Sequence, residues 1–309
     1  MIKIDVCIIT RDRCSDLIRC IESLNGYFNY ESLIIIDSST DKLSRDHNLT
    51  FLNNNVLKSK LIYRYLQVPL GTQPLCRNYG LTFSKSEYLL YLDDDGYVNE
   101  STYRAIYEFL NKYPNYSIVG CRIIQGSEVS LLDPLAKRYL PKFDLVRWAH
   151  GSFNLIGNGQ VCVDHLQGTC MCFNVDDLNH VGGFSEDLCG GYASFEETDA
   201  ILRVSKFKRE KPMLLLHGSV THGVAPRLNG YPRDLGLNTV LAYSYARNGT
   251  ITSVRYFGYF RTILYSPIVI IFNSLSIMKG LKKDYKISRL KSLIYFSLGV
   301  VAGLNNKNI

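Results

Sequence analysis

The feature that most constrains this chain is an alternation, over residues 5–124, of short apolar runs with stretches of helical period. Residues 5–10 are apolar at nearly every position and rich in β-branched side chains, as a strand buried on both faces is. Residues 15–24 then space Leu17, Ile18, Ile21 and Leu24 along one helical face. Residues 33–36 read as a second buried strand closing on Asp37-Ser38-Ser39, and residues 61–66 as a weaker third. Residues 88–92 form a fourth, closing on Asp93-Asp94-Asp95-Gly96. Helices are expected over 70–83 and 101–113, and another strand over 117–124. Such alternation implies right-handed βαβ units and a mostly parallel central sheet flanked by helices, an α/β fold. In open sheets of this kind ligands sit at the carboxyl ends of the strands, where Asp37 and the Asp93–Asp95 cluster fall.

Beyond that point the pattern thins. Residues 126–160 resist assignment; a strand is expected near 168–173, a turn at Gly182-Gly183-Phe184, a helix over 196–204 and a strand over 213–216. There is no internal repeat, and no linker rich in Pro or Gly precedes the C-terminal region. With 309 residues the chain has ample length for a large core. Its nine cysteines are odd in number and form no Cys-x-x-Cys pair, which argues against a disulfide framework or zinc ribbon and suits a reducing cytosol. Cys170 and Cys172 would share one face of a strand as small buried hydrophobes. Residues 1–5 lack the basic and apolar regions of a signal peptide, so none is expected.

Three consecutive aspartates after an apolar strand repel one another unless a cation compensates, and carboxylate clusters suit Mg²⁺ or Mn²⁺, which in turn bind phosphate oxygens. The plainer reading is a solvated turn opening a helix. Glu196, Glu197 and Asp199 form a second acidic cluster. Acids in a first helical turn answer the helix dipole, but a metal site that activates a hydroxyl also needs a general base, and a partly buried Glu supplies one. His217 and His222 follow an apolar strand, as structural residues or as ligands. The fingerprints of dinucleotide-binding, P-loop and serine-hydrolase folds are missing.

The order Val6-Cys7-Ile8-Ile9-Thr10-Arg11-Asp12-Arg13, Ile35-Ile36-Asp37-Ser38-Ser39, Gly71-Thr72-Gln73-Pro74-Leu75-Cys76-Arg77-Asn78-Tyr79-Gly80 and Leu92-Asp93-Asp94-Asp95 resembles the nucleotide-sugar-binding half of a family 2 glycosyltransferase. Gly182-Gly183-Phe184-Ser185-Glu186, then Glu196-Glu197-Thr198-Asp199 and Arg203, is similar to that family's acceptor-side signature. The resemblance spans residues 3–225. It implies a GT-A fold, a Mg²⁺ or Mn²⁺ cofactor, and inverting transfer of a sugar from a nucleotide-diphosphate donor to a hydroxyl of a glycan or lipid-linked saccharide in cell-surface polysaccharide synthesis. Carried over by position, Thr10, Arg13 and Asp37 would contact the nucleoside, and Arg77 would steady the donor. Asp93 and Asp94 would line the donor site, and Asp95 would hold the metal with Asp93 and His222. Glu197 matches the family's base, with Glu196 beside it where Asp after Glu is more usual. The chemistry agrees: a base deprotonates the attacking hydroxyl, a divalent ion stabilises the leaving diphosphate, and one base without a second nucleophile fits single displacement. A nucleotidyltransferase would need a Gly-rich basic loop where Arg11-Asp12-Arg13-Cys14 stands. A non-catalytic nucleotide-sugar-binding partner in polysaccharide assembly would have no need of Glu196 and Glu197.

The charge is lopsided. From Leu241 onward ten basic residues face one acid, a +9 tail on a chain of net charge +7, so the first 240 residues are slightly acidic and offer no nucleic-acid surface. We therefore expect a catalytic unit over 1–240 and a helical basic extension over 241–309. In the tail Ile263, Leu264, Ile268, Ile271, Phe272 and Leu275 recur near helical spacing around Pro267, and Lys279, Lys282, Lys283 and Lys286 follow. Residues 262–278 fall at the lower limit of a spanning segment and carry Ser266, Pro267, Asn273, Ser274 and Ser276. A helix lying on the anionic cytoplasmic face of the cell membrane fits this pattern. A helical hairpin packed on the core with a solvated basic face fits it too.

Overall fold

The computed structural model describes residues 2–24, 29–55, 61–69, 72–125, 128–131, 138–189, 194–223, 237–278 and 286–306. Gly71 of the sequence motif and Lys279, Lys282, Lys283 and Lys307 of the tail lie outside the described residues.

The strands in chain order are β1 (Ile4–Thr10), β2 (Leu33–Asp37), β3 (Leu61–Tyr65), β4 (Tyr88–Asp93), β5 (Gly96–Tyr97), β6 (Ile118–Ile124), β7 (Val129–Ser130), β8 (Lys142–Asp144), β9 (Trp148–His150), β10 (Leu155–Ile156), β11 (Gln160–Cys162), β12 (Met171–Asn174) and β13 (Met213–His222). The helices are α1 (Cys14–Leu24), α2 (Lys42–Asn55), α3 (Gln73–Leu81), α4 (Glu100–Lys112), α5 (Val175–His180), α6 (Glu196–Lys208), α7 (Thr239–Phe257), α8 (Tyr259–Met278) and α9 (Lys286–Leu304).

The main sheet runs β11-β13-β6-β12-β4-β1-β2-β3, with β5 paired to β13. Its β3-β2-β1-β4 half is parallel, as the alternating pattern requires. In the other half β12 enters antiparallel between β4 and β6. The step from β4 to β12 is where a purely parallel expectation ends. Every residue of β2, and nearly every residue of β1 and β4, is buried. Helices therefore cover both faces, and the core divides into one cluster on each side of the sheet.

The irregular span resolves into short ribbons: β8 pairs antiparallel with β9, and β7 parallel with β10. Trp148, on β9, is buried beneath a third apolar cluster with Phe143, Phe195, Ala242, Ala246, Val269 and Phe296. This cluster ties α7, α8 and α9 to the body of the molecule. Polar bonds reinforce it: Arg255 Nη2 lies 2.6 Å from Asp187 Oδ2, and its Nη1 donates to Ser185 Oγ (2.8 Å) and Asp199 Oδ1 (3.1 Å). Asn248 Nδ2 donates to the carbonyl oxygens of Leu188 (2.8 Å) and Ser194 (3.2 Å). The tail thus packs on the core, as the hairpin reading expects, but its outer face is apolar rather than a solvated basic one.

Candidate active site

Four segments converge at the carboxyl end of β4. Asp93 is the last residue of β4, and Asp94 and Asp95 form the turn into β5. The two-residue β5 then pairs with the end of β13, placing His222 opposite Gly96. That pairing seats the imidazole beside Asp95, with His222 Nε2 at 3.3 Å from Asp95 Oδ1. One atom each from Asp93, Asp95 and His222 falls within 4.8 Å of the others, a compact set of hard oxygen donors and one nitrogen. His222 Nδ1 lies 2.6 Å from Gln125 Oε1 and 3.3 Å from Gln167 Nε2. A ring donating from Nδ1 to the Gln125 carbonyl oxygen keeps the lone pair of Nε2 aimed at the carboxylates. The sequence-predicted ligands are therefore brought together.

Asp94 points elsewhere. Thr10 Oγ1 donates to its Oδ2 (2.9 Å) and Arg13 Nη1 to its Oδ1 (3.1 Å). Burial pushes its carboxyl up to about 7 against the pull of Arg13, with Asp95 adding repulsion. Asp37, at the end of β2, is fully buried, and its oxygens are taken by the Ser39 N–H (2.8 Å), Asn48 (2.8 Å) and the Tyr63 hydroxyl (2.7 Å). It braces the strand end and is not part of the aspartate–histidine group. His217 is exposed, contacts the Gly159 carbonyl oxygen (3.1 Å) and also stands outside the group.

The second acidic cluster opens α6. Phe195, just before it, adopts left-handed backbone (φ 66°), a conformation costly for a bulky residue, and its ring is held among Trp148, Phe143 and Tyr245. That anchored turn aims Glu196 and Glu197 at Arg77 on α3. Arg77 Nη1 lies 3.1 Å from Glu196 Oε1, while Nη2 lies 2.8 Å from Glu197 Oε1 and 3.4 Å from Asp93 Oδ1. Three carboxylates raise its affinity for the proton further, so the guanidinium is a fixed cation. The two glutamates differ in access: the Glu196 side chain is 7% exposed and the Glu197 side chain 26%. Glu197 keeps an edge open to solvent. Its carboxyl is pushed up to about 7 by the surrounding protein, with Arg77 opposing and Glu196 and Asp93 adding to the rise.

Several residues of the site carry no motif in the sequence. Thr169 Oγ1 donates to Asp93 Oδ2 (3.2 Å), and Gln167 Nε2 donates to Gln125 Oε1 (3.3 Å), the oxygen that holds His222. Gly168 leaves room for the carboxylate: a Cβ there would overlap Glu197 Oε1 and stand 2.7 Å from Arg77 Nη2. Its only signal was a glycine at the head of a strand-like run. Two of the quoted motifs meet here as well: Asn78 ties the Gly182–Phe184 turn to α3, accepting from the Phe184 N–H (2.7 Å) and donating to its carbonyl oxygen (2.8 Å).

Comparison with known proteins identifies the fold and the family. The glycosyl transferase family 2 pattern matches residues 5–180, more than half of the chain. No curated protein sequence matches. Among solved structures, GalNAc-T7 with UDP, GalNAc and Mn²⁺ superposes with a TM-score of 0.68 at 14% identity, over 97% of this chain and 57% of that one, so the chain spans little more than half of that protein. The mannosyltransferase PcManGT from Pyrobaculum calidifontis, with GDP-Man and Mn²⁺, gives 0.59 at 11% identity over 99% and 88%. Residues 1–349 of S. aureus TarS give 0.54 at 14% over 97% and 91%. These likenesses establish a GT-A fold, and with the sequence match they make the chain a member of glycosyl transferase family 2.

Proposed function

We propose that this glycosyltransferase moves a sugar, with inversion, from a nucleotide-diphosphate donor to a hydroxyl of a glycan or lipid-linked saccharide in cell-surface polysaccharide synthesis. The observation that carries the reading is Glu197: a carboxylate with a solvent-accessible edge, raised to about 7, on the same arginine as the aspartate–histidine group.

The residues perform distinct tasks. Glu197 takes the proton from the attacking hydroxyl, and a carboxylate titrating near neutrality suits that work. Arg77 keeps Glu197 ionised and oriented, while Glu196, buried on the other guanidinium nitrogen, holds Arg77 in place. Asp93, Asp95 and His222 suit a Mg²⁺ or Mn²⁺ ion, and such an ion, when bound, neutralises charge developing on the departing diphosphate. Mn²⁺ accompanies the nucleotide or nucleotide sugar in the GalNAc-T7 and mannosyltransferase structures, which supports this choice. Thr10, Arg13, Asp37 and Asp94 shape the donor pocket at the ends of β1, β2 and β4, with Arg13 and Arg77 supplying positive charge. One general base with no second nucleophilic carboxylate assigned is the arrangement of a single displacement. Residues 1–240 carry the chemistry, and the extension over 241–309 holds the enzyme at the cytoplasmic face of an anionic membrane, where a lipid-linked acceptor is found.

The test is incubation of the full chain with a panel of nucleotide sugars and Mn²⁺, measuring released nucleoside diphosphate. Metal-dependent release from at least one donor is expected; none from any donor would overturn the proposal.

A further inference from the structure

The pattern of α8 is reversed relative to a helix that packs on a protein core in water. Its inward side carries Thr262, Ser266 and Asn273 alongside Val269 and Ile277, all buried. Its outward side carries Phe260 (85% exposed), Leu264 (72%), Ile268, Ile271 and Leu275 (65%). The inward polar groups are satisfied within the helix: Thr262 Oγ1 donates to the Gly258 carbonyl oxygen (3.0 Å), Ser266 Oγ to Thr262 (2.7 Å) and Asn273 Nδ2 to Val269 (2.9 Å). Helix α9 shares the exposed apolar side, with Leu290, Ile294, Leu298 and Val301 exposed, while Ser292 and Gly299 are buried beside Phe296, Val300 and Arg289. The Gly299-Val300-Val301-Ala302-Gly303 segment of α9 meets α7 at backbone contact, since a Cβ on Gly299 would stand 2.4 Å from the Tyr243 carbonyl oxygen and one on Gly303 2.7 Å from that of Arg247. An inner side that mixes polar, small and apolar residues, beneath an outer side of large apolar ones, is an order that suits helices with hydrocarbon on their outer face.

Fourteen of the exposed large apolar side chains belong to α8 and α9, a concentration of bare apolar surface that marks an interaction face. No helix among the described residues is long and apolar enough to cross a membrane. Arg261 and Lys291 are exposed on the two helices, and the sequence between them is net basic, with Lys279, Lys282 and Lys283 against Asp284. We infer that the outer face of α8 and α9 is a monotopic docking surface that sinks into one leaflet of an anionic bilayer, with Arg261 and Lys291 meeting the headgroups. This names the face for the membrane seat proposed above, and it stands or falls apart from sugar transfer, because a vesicle carries neither donor nor acceptor.

The experiment uses the full chain with vesicles of phosphatidylcholine, with and without phosphatidylglycerol. Flotation with the anionic vesicles is expected, weakened but not abolished by high salt, because screening leaves the apolar part intact. A Leu264→Ser/Leu275→Ser variant should partition at least about tenfold more weakly while nucleoside-diphosphate binding, the check on folding, stays unchanged. A Phe260→Trp variant should shift its emission to the blue on vesicles and be quenched by brominated lipid, against the constant signal of the buried Trp148. Absence of flotation, or flotation unaffected by the double substitution, overturns the inference. So does a stable dimer in buffer that the double substitution dissolves, which would assign the face to a second copy of the chain.

Discussion

Arg77 Nη2 stands 2.8 Å from Glu197 Oε1, and the same nitrogen reaches Asp93 Oδ1 at 3.4 Å. One buried cation therefore holds the more exposed glutamate in place and lowers its proton affinity against the effect of burial. Burial raises Glu197 and Arg77 lowers it, leaving the group near 7. The active form is the carboxylate, so kcat/KM should fall by about tenfold per pH unit below that value and level off above it. Removing the cation favours the neutral acid, so Arg77→Met should carry the acid limb to higher pH, and Arg77→Lys should carry it less far. A limb that stays in place in Arg77→Met would separate Arg77 from the base.

Gly168 gives a second handle on the same carboxylate. In Gly168→Ala the new methyl would overlap Glu197 Oε1, and the side chain must swing away. A displacement of about 1 Å can cost 10²-fold in rate, so kcat should drop by roughly that factor while donor KM and the melting temperature change little. Steady-state kinetics with a matched thermal melt reads this directly.

Metal dependence should follow the three ligands and the glutamine behind them. Asp95→Ala should abolish Mn²⁺-dependent binding of nucleoside diphosphate, because the remaining donors cannot rebuild the same geometry. Gln125→Ala, which frees His222 Nδ1, should weaken metal affinity by about 10- to 100-fold. Calorimetry with and without chelator measures both. Unchanged affinity in Asp95→Ala would remove the metal from this site.

Cutting the chain after Val240 should not yield a working enzyme. It uncovers Phe143, Trp148 and Phe195, and strips Arg255 from Asp187 and from Asp199, which sits in the first turn of α6 beside Glu197. The expected product is aggregated in a sedimentation assay. A soluble fragment with full donor turnover would show that α7–α9 contribute nothing to the site.

Much of this was legible in the sequence because parallel strands buried on both faces leave an unmistakable apolar signature, and β1, β2 and β4 carry it to their acidic ends. Asp93, Asp95 and His222 were named as a set from the family resemblance, and the β5–β13 pairing is what joins them in space. That pairing was not legible, since two residues have no period. The antiparallel entry of β12 was hidden for a related reason: a fully buried strand reads the same in either direction. Gly168 and Thr169 act through a close approach and a single hydroxyl, which no spacing announces. The inverted face of α8 was half visible. Periodicity located the apolar stripe but could not say which side the core would take.

The central claim is that Glu197, and not its neighbour Glu196, accepts the proton of the attacking hydroxyl. The most direct measurement compares transfer rates and donor affinities of Glu197→Gln and Glu196→Gln at saturating Mn²⁺. The amide is isosteric with the carboxylate but cannot take a proton. Glu197→Gln should bind donor normally and lose about 10²- to 10⁴-fold in transfer, while Glu196→Gln, buried against the other side of Arg77, should retain measurably more activity. An active Glu197→Gln beside an inactive Glu196→Gln would contradict the account.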